Sequence, residues 1–427
     1  MLLPVTYRVN DAGRMEVGGC DLVELARTYG TPLYVYDEET VRCRCREFVQ
    51  ALGERGEVLY SAKAFGSPGF LRVVASEGLG LDVVSEGELY LALAAGYPTD
   101  RIHFLGNNKS REDVTAAYEA GATLVIDGFQ EFDLLSSVVP PGSRLRCELR
   151  LSPGIRPETH DFIATGQLDS KFGFSIESGA ARAAVELALA HDRIELVGLH
   201  SHIGSQVFDL RGHLAAMEIV LDFLAGLRRE LGFEPERLGA GGGLGIAYTR
   251  EDRPPSPAEF VTTLLTALDQ GTARRGLRTP LLVLEPGRAV AGPAGVALYT
   301  VGAIKDIPGV RRYVAVDGGM GDNIRPKLYG ARYEAFLARD PEGDAAPPVT
   351  IAGKYCESTD ILATDVPLPP VQTGDVLCIP AAGAYCLSMA SNYNGMPRPA
   401  VVMVSEGEAR LIRRRETFDD LMAAEIL

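Results

Sequence analysis

Lys63 stands at the end of an apolar run, in the sequence YSAKAF, and its type and position suggest covalent chemistry. A lysine in a partly desolvated place has a lowered pKa and can form a Schiff base with a carbonyl compound. The alternative interpretation is an ordinary surface lysine at a strand terminus. The choice depends on which polar residues the fold brings near it.

The glycine-rich run GAGGGLG, residues 239–245, has no side chain large enough to block a bound group. Such loops expose backbone N–H groups to phosphate, so Gly243 and Gly245 are candidate phosphate ligands. Ser205 could add its hydroxyl to the same phosphate. The run does not fit the GxGxxG register of dinucleotide-binding folds. The alternative is a flexible turn.

Glu285 ends another apolar run and is followed by Pro, Gly287 and Arg288. A carboxylate there could pair with a protonated ring nitrogen and Arg288 with an anion, or the two side chains could form an internal ion pair. His200 and His202 alternate and would face the same side of a strand. One could be a buried structural histidine and the other a solvated one. No HExxH or similar spacing supplies further ligands, so no metal site is predicted.

The last third of the chain adds further candidates. Cys356 precedes Glu357 in YCESTD, and a thiol beside a carboxylate can donate a proton where water is limited. Arg325 and Tyr329 are four residues apart and could form an anion-binding helix face, and Tyr385 follows a glycine-rich turn from which its hydroxyl could reach a ligand. The alternatives are a buried spectator cysteine and an ordinary solvated face.

Short apolar runs alternate with longer amphipathic, helix-like stretches between residues 36 and 290. The apolar runs are 58–62, 80–84, 102–106, 123–127, 145–151, 196–202, 236–241 and 281–285. Eight strand–helix units predict a (β/α)8 barrel, with a doubly wound open sheet as the alternative. In a barrel the catalytic groups follow the C-terminal ends of the strands, which is where Lys63, Asp82, His202 and Glu285 lie.

The remaining sequence changes in character. Strand-like segments separated by Pro and Gly turns follow residue 291, and helical periodicity is scarce until the C-terminus. We therefore expect a barrel domain at 36–290 and a β-rich domain at 291–427. Residues 1–35 carry little helical signal and are expected to join the β-rich domain.

Composition restricts the class of partner. The 427 residues carry a net charge of −15, which argues against nucleic acid or an anionic membrane surface as the main partner. No run of about 18 apolar residues and no signal-peptide pattern is present. The seven cysteines are scattered and without a CxxC pair, so reduced thiols in the cytoplasm are expected.

Eight motifs in order make the chain recognisable: YSAKA, GLHSHIGSQ, GGGLG, EPGR, DGGM…IRPKLY, CESTD, GAYCLSMASNYN and RRRETFDDL. Together they resemble the diaminopimelate decarboxylase family, over roughly residues 20 to 420. That family belongs to the alanine-racemase-like (fold-type III) enzymes that use pyridoxal 5'-phosphate (PLP). The resemblance implies a barrel plus a β-domain, and a carboxy-lyase that converts meso-2,6-diaminopimelate to L-lysine and CO2, the last step of lysine biosynthesis.

The resemblance also implies roles around the cofactor. Lys63 would hold PLP as a Schiff base, with Asp82 as a nearby acid, and His202 would stack on the pyridine ring. Glu285 would keep the ring nitrogen protonated. The remaining cofactor-binding residues implied are Ser205, Gly243, Gly245, Gly287, Arg288 and Tyr385.

The substrate contacts implied by the resemblance lie mainly in the last third. The substrate carboxylate that is not lost would be held by Arg288, Arg325 and Tyr329, with Tyr385 nearby. Cys356 would protonate the carbon that loses CO2, and Glu357 would bind the distal amino group. In the family these last two reach the site from a partner subunit, which implies an obligate homodimer.

Three alternatives stay open: a sister decarboxylase of carboxynorspermidine, ornithine or lysine, an amino-acid racemase, and a non-catalytic PLP-binding protein. Basic groups for a second carboxylate favour diaminopimelate, and a carboxylate at Glu285 suits decarboxylation better than the arginine of related racemases. The chain departs from the family pattern at Phe65, at Lys354 and Tyr355, and in the sequence MGDNIRP.

Overall fold

The computed structural model describes residues 2–155 and 170–426, and it divides into two compact units. The barrel unit comprises Arg44–Gly245 and Pro254–Gly287. The β unit comprises Met1–Cys43, Ile246–Arg253 and Arg288–Leu427. Each unit is formed from segments distant in sequence, so long-range contacts are needed to build either.

The barrel unit contains eight parallel strands in a closed ring. In chain order, β1 to β8 are Gly56–Ser61, Gly80–Val83, Ile102–Phe104, Thr123–Ile126, Leu145–Ser152, Ile194–Ser201, Arg237–Gly241 and Leu281–Leu284. Each strand pairs with the next, and β8 closes the ring on β1, with Leu282 opposite Gly56. A short strand, Phe174–Ser175, adds to β5. The closure confirms the predicted barrel, and the doubly wound alternative is wrong.

In the part of the barrel unit that the structure describes, seven helices connect the strands. In chain order, α1 to α7 are Pro68–Ser76, Glu86–Ala94, Arg111–Ala120, Gln130–Val138, Ala180–Ala190, Arg211–Leu231 and Pro257–Arg275. Their ends follow local sequence rules. The Ser110 and Asp113 side chains form a reciprocal capping box at the start of α3. Left-handed glycines, Gly232 and Gly276, end α6 and α7.

The β unit contains an extended sheet and a small antiparallel sheet. The small sheet has three strands, which come from the N-terminal residues. The extended sheet contains Leu33–Asp37, Gly295–Ile307, Arg311–Val316, Phe336–Leu337, Val349–Ala352, Ile361–Val366, Val376–Ile379, Ala400–Ser405 and Glu408–Arg413. The small sheet contains Arg8–Val9, Met15–Val17 and Cys20–Asp21. The helices are Leu22–Tyr29, Arg288–Ala294, Arg325–Tyr329 and Phe418–Met422, and Glu38–Leu52 contributes residues to both units.

The strand Leu33–Asp37 ties the N-terminal segment into the β unit. It pairs with Gly295–Ile307 on one side and Ala400–Ser405 on the other, so it is an interior strand. Alternate side chains separate its two faces, and Leu33 and Val35 join a continuous apolar core. The expected assignment of the N-terminal segment to the β-rich part of the fold is confirmed.

The opposite face of that strand anchors two loops. The Tyr34 hydroxyl donates to the Oδ1 of Asp322 at 3.1 Å, and the Tyr36 hydroxyl donates to the carbonyl of Gly383 at 2.7 Å. Tyr34 and Tyr36 are fully buried. Buried hydroxyls require such partners, so these bonds fix the loops around residues 322 and 383 against the sheet.

Across residues 2–155 and 170–426, no helix is both long and apolar enough to cross a membrane. Within the same residues, no group of three or more His, Cys, Asp or Glu side chains is arranged to hold a metal ion.

Candidate active site

Lys63 lies in the 3-10 turn Ala62–Ala64, immediately after β1. Its Nζ is 4.0 Å from the Oδ2 of Asp82 on β2, and its side chain remains 44% exposed. Ser61 donates a hydrogen bond to the same Asp82 oxygen. Burial raises the pKa of Asp82, and the charge of Lys63 opposes that rise. An accessible amine is thus held at the strand end by a buried acid.

A buried pair links β6 to the end of β8. His200 Nε2 lies 2.9 Å from Glu285 Oε1, and both side chains are almost fully buried. Burial alone would raise the pKa of Glu285, but the charge and hydrogen bond of His200, with smaller contributions from His202 and Lys63, lower it to about 2. Glu285 is therefore a carboxylate that stays ionised inside the barrel unit.

His202 lies one residue beyond the end of β6. Desolvation, together with the charges of Lys63 and Arg150, lowers the pKa of His202 well below its ordinary value. Its Nδ1 accepts a hydrogen bond of 3.2 Å from the backbone N–H of Gly242. The ring is therefore neutral and its orientation is fixed by the glycine loop, as a ring that stacks on an aromatic ligand requires.

The glycine loop after β7 contacts the segment after β6. The N–H of Val207 donates to Gly243 O at 2.8 Å, and the N–H of Gly245 donates to Val207 O at 3.0 Å. Gly243 has a φ of +98°, and a Cβ there would collide with the carbonyl oxygen of Gly204. Gly243 and Gly245 are thus held against the segment 204–207, to which the predicted phosphate residue Ser205 belongs.

Gly287 connects Glu285 to the Lys63 turn. A Cβ at Gly287 would lie 2.9 Å from the Cβ of Ser61 and 3.1 Å from that of Ala64. The N–H of Ser61 also donates to the carbonyl of Pro286 at 3.2 Å. The close approach of these two strand ends requires glycine, and it fixes Lys63 relative to Glu285.

The barrel unit therefore fits PLP by the chemistry of its residues. Lys63 offers an amine to an aldehyde, the backbone at Gly243 and the hydroxyl of Ser205 are candidate donors to a phosphate, and Glu285 offers an anion to a protonated ring nitrogen. His202 offers a flat neutral surface. Each chemical part of PLP has a candidate partner, and the close approach of the Gly243 and Gly204 backbones leaves no room for a Cβ at residue 243.

The β unit holds two buried arginines among phenol rings. The Arg325 guanidinium lies 4.6 Å from the centre of the Tyr248 ring and donates to the Tyr333 hydroxyl at 2.5 Å. Arg288 donates to the Tyr248 hydroxyl and lies 4.8 Å from the centre of the Tyr385 ring. These phenol rings and hydroxyls orient the two guanidinium groups. The cluster is therefore suited to binding an anion.

Two predicted β-unit residues have less defined surroundings. Tyr329 ends the short helix that Arg325 begins, and it is half-buried. The hydroxyl that contacts Arg325 belongs to Tyr333 instead. Tyr385 has a φ of +59°, a strained value for a tyrosine, so its neighbours must hold it in place.

Cys356 and Glu357 lie on an exposed turn of the β unit. Of the seven cysteines, Cys356 is exposed, Cys43 is half-buried and the others are buried. The N–H of Cys356 donates to Asn394 Oδ1 at 2.9 Å. The structure thus presents this thiol at the surface of its own unit.

The departures from the family pattern are explained locally. Phe65 is buried and packs edge-on against Phe70, with ring centres 5.4 Å apart. Tyr355 stacks on Tyr393 at 6.1 Å, and the N–H of Lys354 donates to the carbonyl of Gly318. Phe65 and Tyr355 therefore make packing contacts within their own units.

Sequence reasoning missed several residues of this arrangement. His200 had a signal, since it alternates with His202 at a strand end, but its partner is 85 residues away in the chain. No sequence signal pointed to Tyr248 and Tyr333, because only the fold brings their rings beside Arg288 and Arg325. Asp360, which accepts backbone hydrogen bonds near Cys356, was likewise not singled out.

Comparison with known proteins agrees with this arrangement. Residues 38–292 match the family described as "Pyridoxal-dependent decarboxylase, pyridoxal binding domain". The chain is 47% identical to the diaminopimelate decarboxylase of Bacillus subtilis, over 100% of this chain and 98% of that protein. It is 46% identical to the enzyme of the same name from Bacillus methanolicus, over 96% of each chain.

A solved structure shows the same architecture. The diaminopimelate decarboxylase of M. jannaschii, in complex with L-lysine, superposes with a TM-score of 0.93 at 36% identity. The match covers 100% of this chain and 99% of that one. The chain therefore belongs to the pyridoxal-dependent decarboxylases and, within them, to the diaminopimelate decarboxylase family.

Proposed function

We propose that this protein decarboxylates meso-2,6-diaminopimelate to L-lysine and CO2, with PLP as cofactor, as the last step of lysine biosynthesis. The observation that carries the proposal is the buried arginine pair Arg288 and Arg325 among phenols. A substrate with one carboxylate would lose it as CO2 and leave these cations without an anion. A sister decarboxylase of ornithine or lysine has no need of them.

Bound PLP supplies an electron sink for the electron pair that CO2 leaves at the α-carbon. On the protein side, Lys63 would be the covalent attachment point, with Asp82 beside its nitrogen. Glu285, kept ionised by His200, would stabilise a protonated ring nitrogen, and a neutral His202 would be available to stack on the ring. Gly243, Gly245, Ser205 and Tyr385 are proposed to bind the phosphate, with Gly287 and Arg288 completing the cofactor-binding set.

We propose that Arg288, Arg325 and Tyr329 bind the carboxylate that the substrate keeps. Glu357 binds the amino group at the same end. Meso-diaminopimelate has one D and one L centre, so L-lysine forms only when CO2 leaves the D centre. Recognition of the L end therefore determines which carboxylate is lost. Cys356 is proposed to give its thiol proton to the α-carbon, and water then returns a proton to the thiolate.

We further propose that the protein is a cytoplasmic homodimer in which Cys356 and Glu357 complete the partner's site. Support for the dimer is the exposed position of Cys356, which a catalytic thiol would not retain in a closed site. The domain that binds PLP is proposed to span 36–290, and the family match over residues 38–292 supports these bounds. Within that span, residues 36–43, 246–253 and 288–290 belong to the compact β unit.

The test is CO2 release from meso-diaminopimelate, measured beside ornithine, lysine and carboxynorspermidine. We expect release from the first alone, and purified protein that is yellow. Lys63→Ala should abolish release and change the visible absorbance of the cofactor. Release from another substrate with none from diaminopimelate would overturn the substrate assignment, and full activity without PLP would overturn the cofactor assignment.

A further inference from the structure

The turn formed by residues 353–360, here called the Cys356 turn, is held from two sides. It carries Cys356 and Glu357 at its exposed end. The N–H of Lys354 donates to the carbonyl of Gly318, and the N–H of Cys356 donates to the side chain of Asn394, both outside the turn. Such a short exposed segment would otherwise sample many conformations, so these contacts determine where the thiol lies.

Asp360 holds the base of the turn. Its carboxylate accepts hydrogen bonds from the N–H of Tyr355 at 2.9 Å and of Met320 at 2.7 Å, and the side chain is 3% exposed. A Cβ at either Gly319 or Gly353 would collide with this carboxylate. Two glycine-containing segments therefore enclose one buried acid, which joins the Cys356 turn to residues 317–323.

Asn394 holds the exposed end. Its Oδ1 accepts the N–H of Cys356 at 2.9 Å, so it contacts the cysteine's own backbone. Asn394 has a φ of +55° and a ψ of 23°, a left-handed conformation that asparagine tolerates better than most residues. Beside it, Tyr393 stacks on Tyr355. The segment 391–394, the end of the GAYCLSMASNYN motif, thus supports the turn directly.

We infer that Asn394 and Asp360 are positioning residues for Cys356: Asn394 fixes the cysteine's backbone N–H and Asp360 fixes the residue before it. This inference rests on the proposed role of Cys356 as proton donor. A proton donor must be held close to the carbon that it protonates. A hydrogen bond from the backbone of that same residue restricts its movement and so keeps the donor in place.

The experiment compares three variants of the PLP-loaded enzyme. Asn394→Gly keeps the left-handed backbone accessible and removes the acceptor, whereas Asn394→Asp keeps an acceptor oxygen at the same place. Glu406→Gly is the matched control, because Glu406 is exposed, has a φ of +52° and lies in the turn between Ala400–Ser405 and Glu408–Arg413. Amide hydrogen exchange at Cys356, the alkylation rate of its thiol, kcat and KM are measured for each.

We expect Asn394→Gly to speed amide exchange at Cys356 about tenfold and to lower kcat about tenfold, with KM within about twofold of wild type. Asn394→Asp should restore most of the protection from amide exchange and most of kcat. Glu406→Gly should change neither the exchange rate nor kcat. The alkylation rate of Cys356 should change in Asn394→Gly alone. Cofactor absorbance and melting temperature should be the same in all variants.

Two results would overturn the inference. One is unchanged amide exchange at Cys356 in Asn394→Gly. The other is faster exchange with an unchanged kcat, since the bond would then support only the fold of the turn. If wild-type enzyme releases no CO2 from any substrate offered, the proposed function fails, while the exchange and alkylation data still decide whether Asn394 holds Cys356.

Discussion

Glu285 is ionised because its neighbour His200 lowers its pKa and so outweighs the effect of burial. Burial favours the protonated acid, and the His200 contact reverses this preference so far that the pKa falls to about 2. The pKa of Glu285 in the folded protein lies below that of an unfolded glutamate. The pair therefore stabilises the fold at pH values above the ordinary titration range of glutamate. That stabilisation is lost as pH falls toward about 2.

His200→Leu should therefore raise the pKa of Glu285, because burial then acts unopposed by its main partner. We expect the acid limb of the kcat/KM profile to move to higher pH and kcat at pH 7 to fall at least about tenfold. His200→Gln, which keeps a donor, should restore part of the loss. The matched control is His191→Leu, since His191 contacts Ser136 near the surface of the same unit. An unmoved acid limb in His200→Leu would contradict the assignment.

At the scale of elements, the barrel places chemistry at strand ends, and glycine allows neighbouring ends to approach. The loop after β7 and the segment after β6 exchange backbone hydrogen bonds around Gly243. Their spacing is set by backbone atoms in contact, and a phosphate cradle made of N–H groups depends on that spacing.

Gly243→Ala tests this element directly, with Gly232→Ala as its matched control. Both positions have positive φ, but a Cβ at Gly232 meets open space and one at Gly243 meets the carbonyl of Gly204. We expect Gly232→Ala to cost about 1 kcal/mol of unfolding free energy and Gly243→Ala at least about 2 kcal/mol more. Gly243→Ala should also weaken PLP binding, measured by absorbance titration, and equal PLP affinity in both variants would contradict the cradle.

At the scale of the whole molecule, the proposed dimer makes a quantitative prediction. If Lys63 acts in its own barrel and Cys356 acts in the partner's, subunits with Lys63→Ala and Cys356→Ala complement each other. Random mixing gives half hybrid dimers with one intact site of two, so activity should recover to about a quarter of wild type. Each variant alone should stay inactive or slow.

The control for this mixing uses Lys63→Ala with Glu285→Ala. Both residues belong to the barrel unit, so no site in the hybrid is intact and no activity should return. The same low activity in the Lys63→Ala and Cys356→Ala mixture would show that the two residues serve one subunit, and it would contradict the shared site. Giving the two variants different affinity tags and isolating the dimers that carry both tags checks that subunits have exchanged.

Much of the fold could be predicted because its signals are local. The eight apolar runs coincide with β1 to β8 to within about two residues, since buried parallel strands read as short hydrophobic stretches. Of the predicted site residues, Lys63, Gly243 and Glu285 follow or end such runs, and Asp82 lies within one. Their types and positions needed no knowledge of distant contacts.

The sequence by itself thus determined the barrel, the lysine, the glycine loop and, through eight ordered motifs, the family. Only the tertiary structure showed that His200 pairs with Glu285 and that Asn394 accepts a hydrogen bond from Cys356. It also showed that Arg325 contacts Tyr248 and Tyr333, where the sequence had suggested Tyr329. The physical reason is that these contacts join residues on different elements. Burial and partner charge, which set protonation and orientation, exist only after the chain has folded.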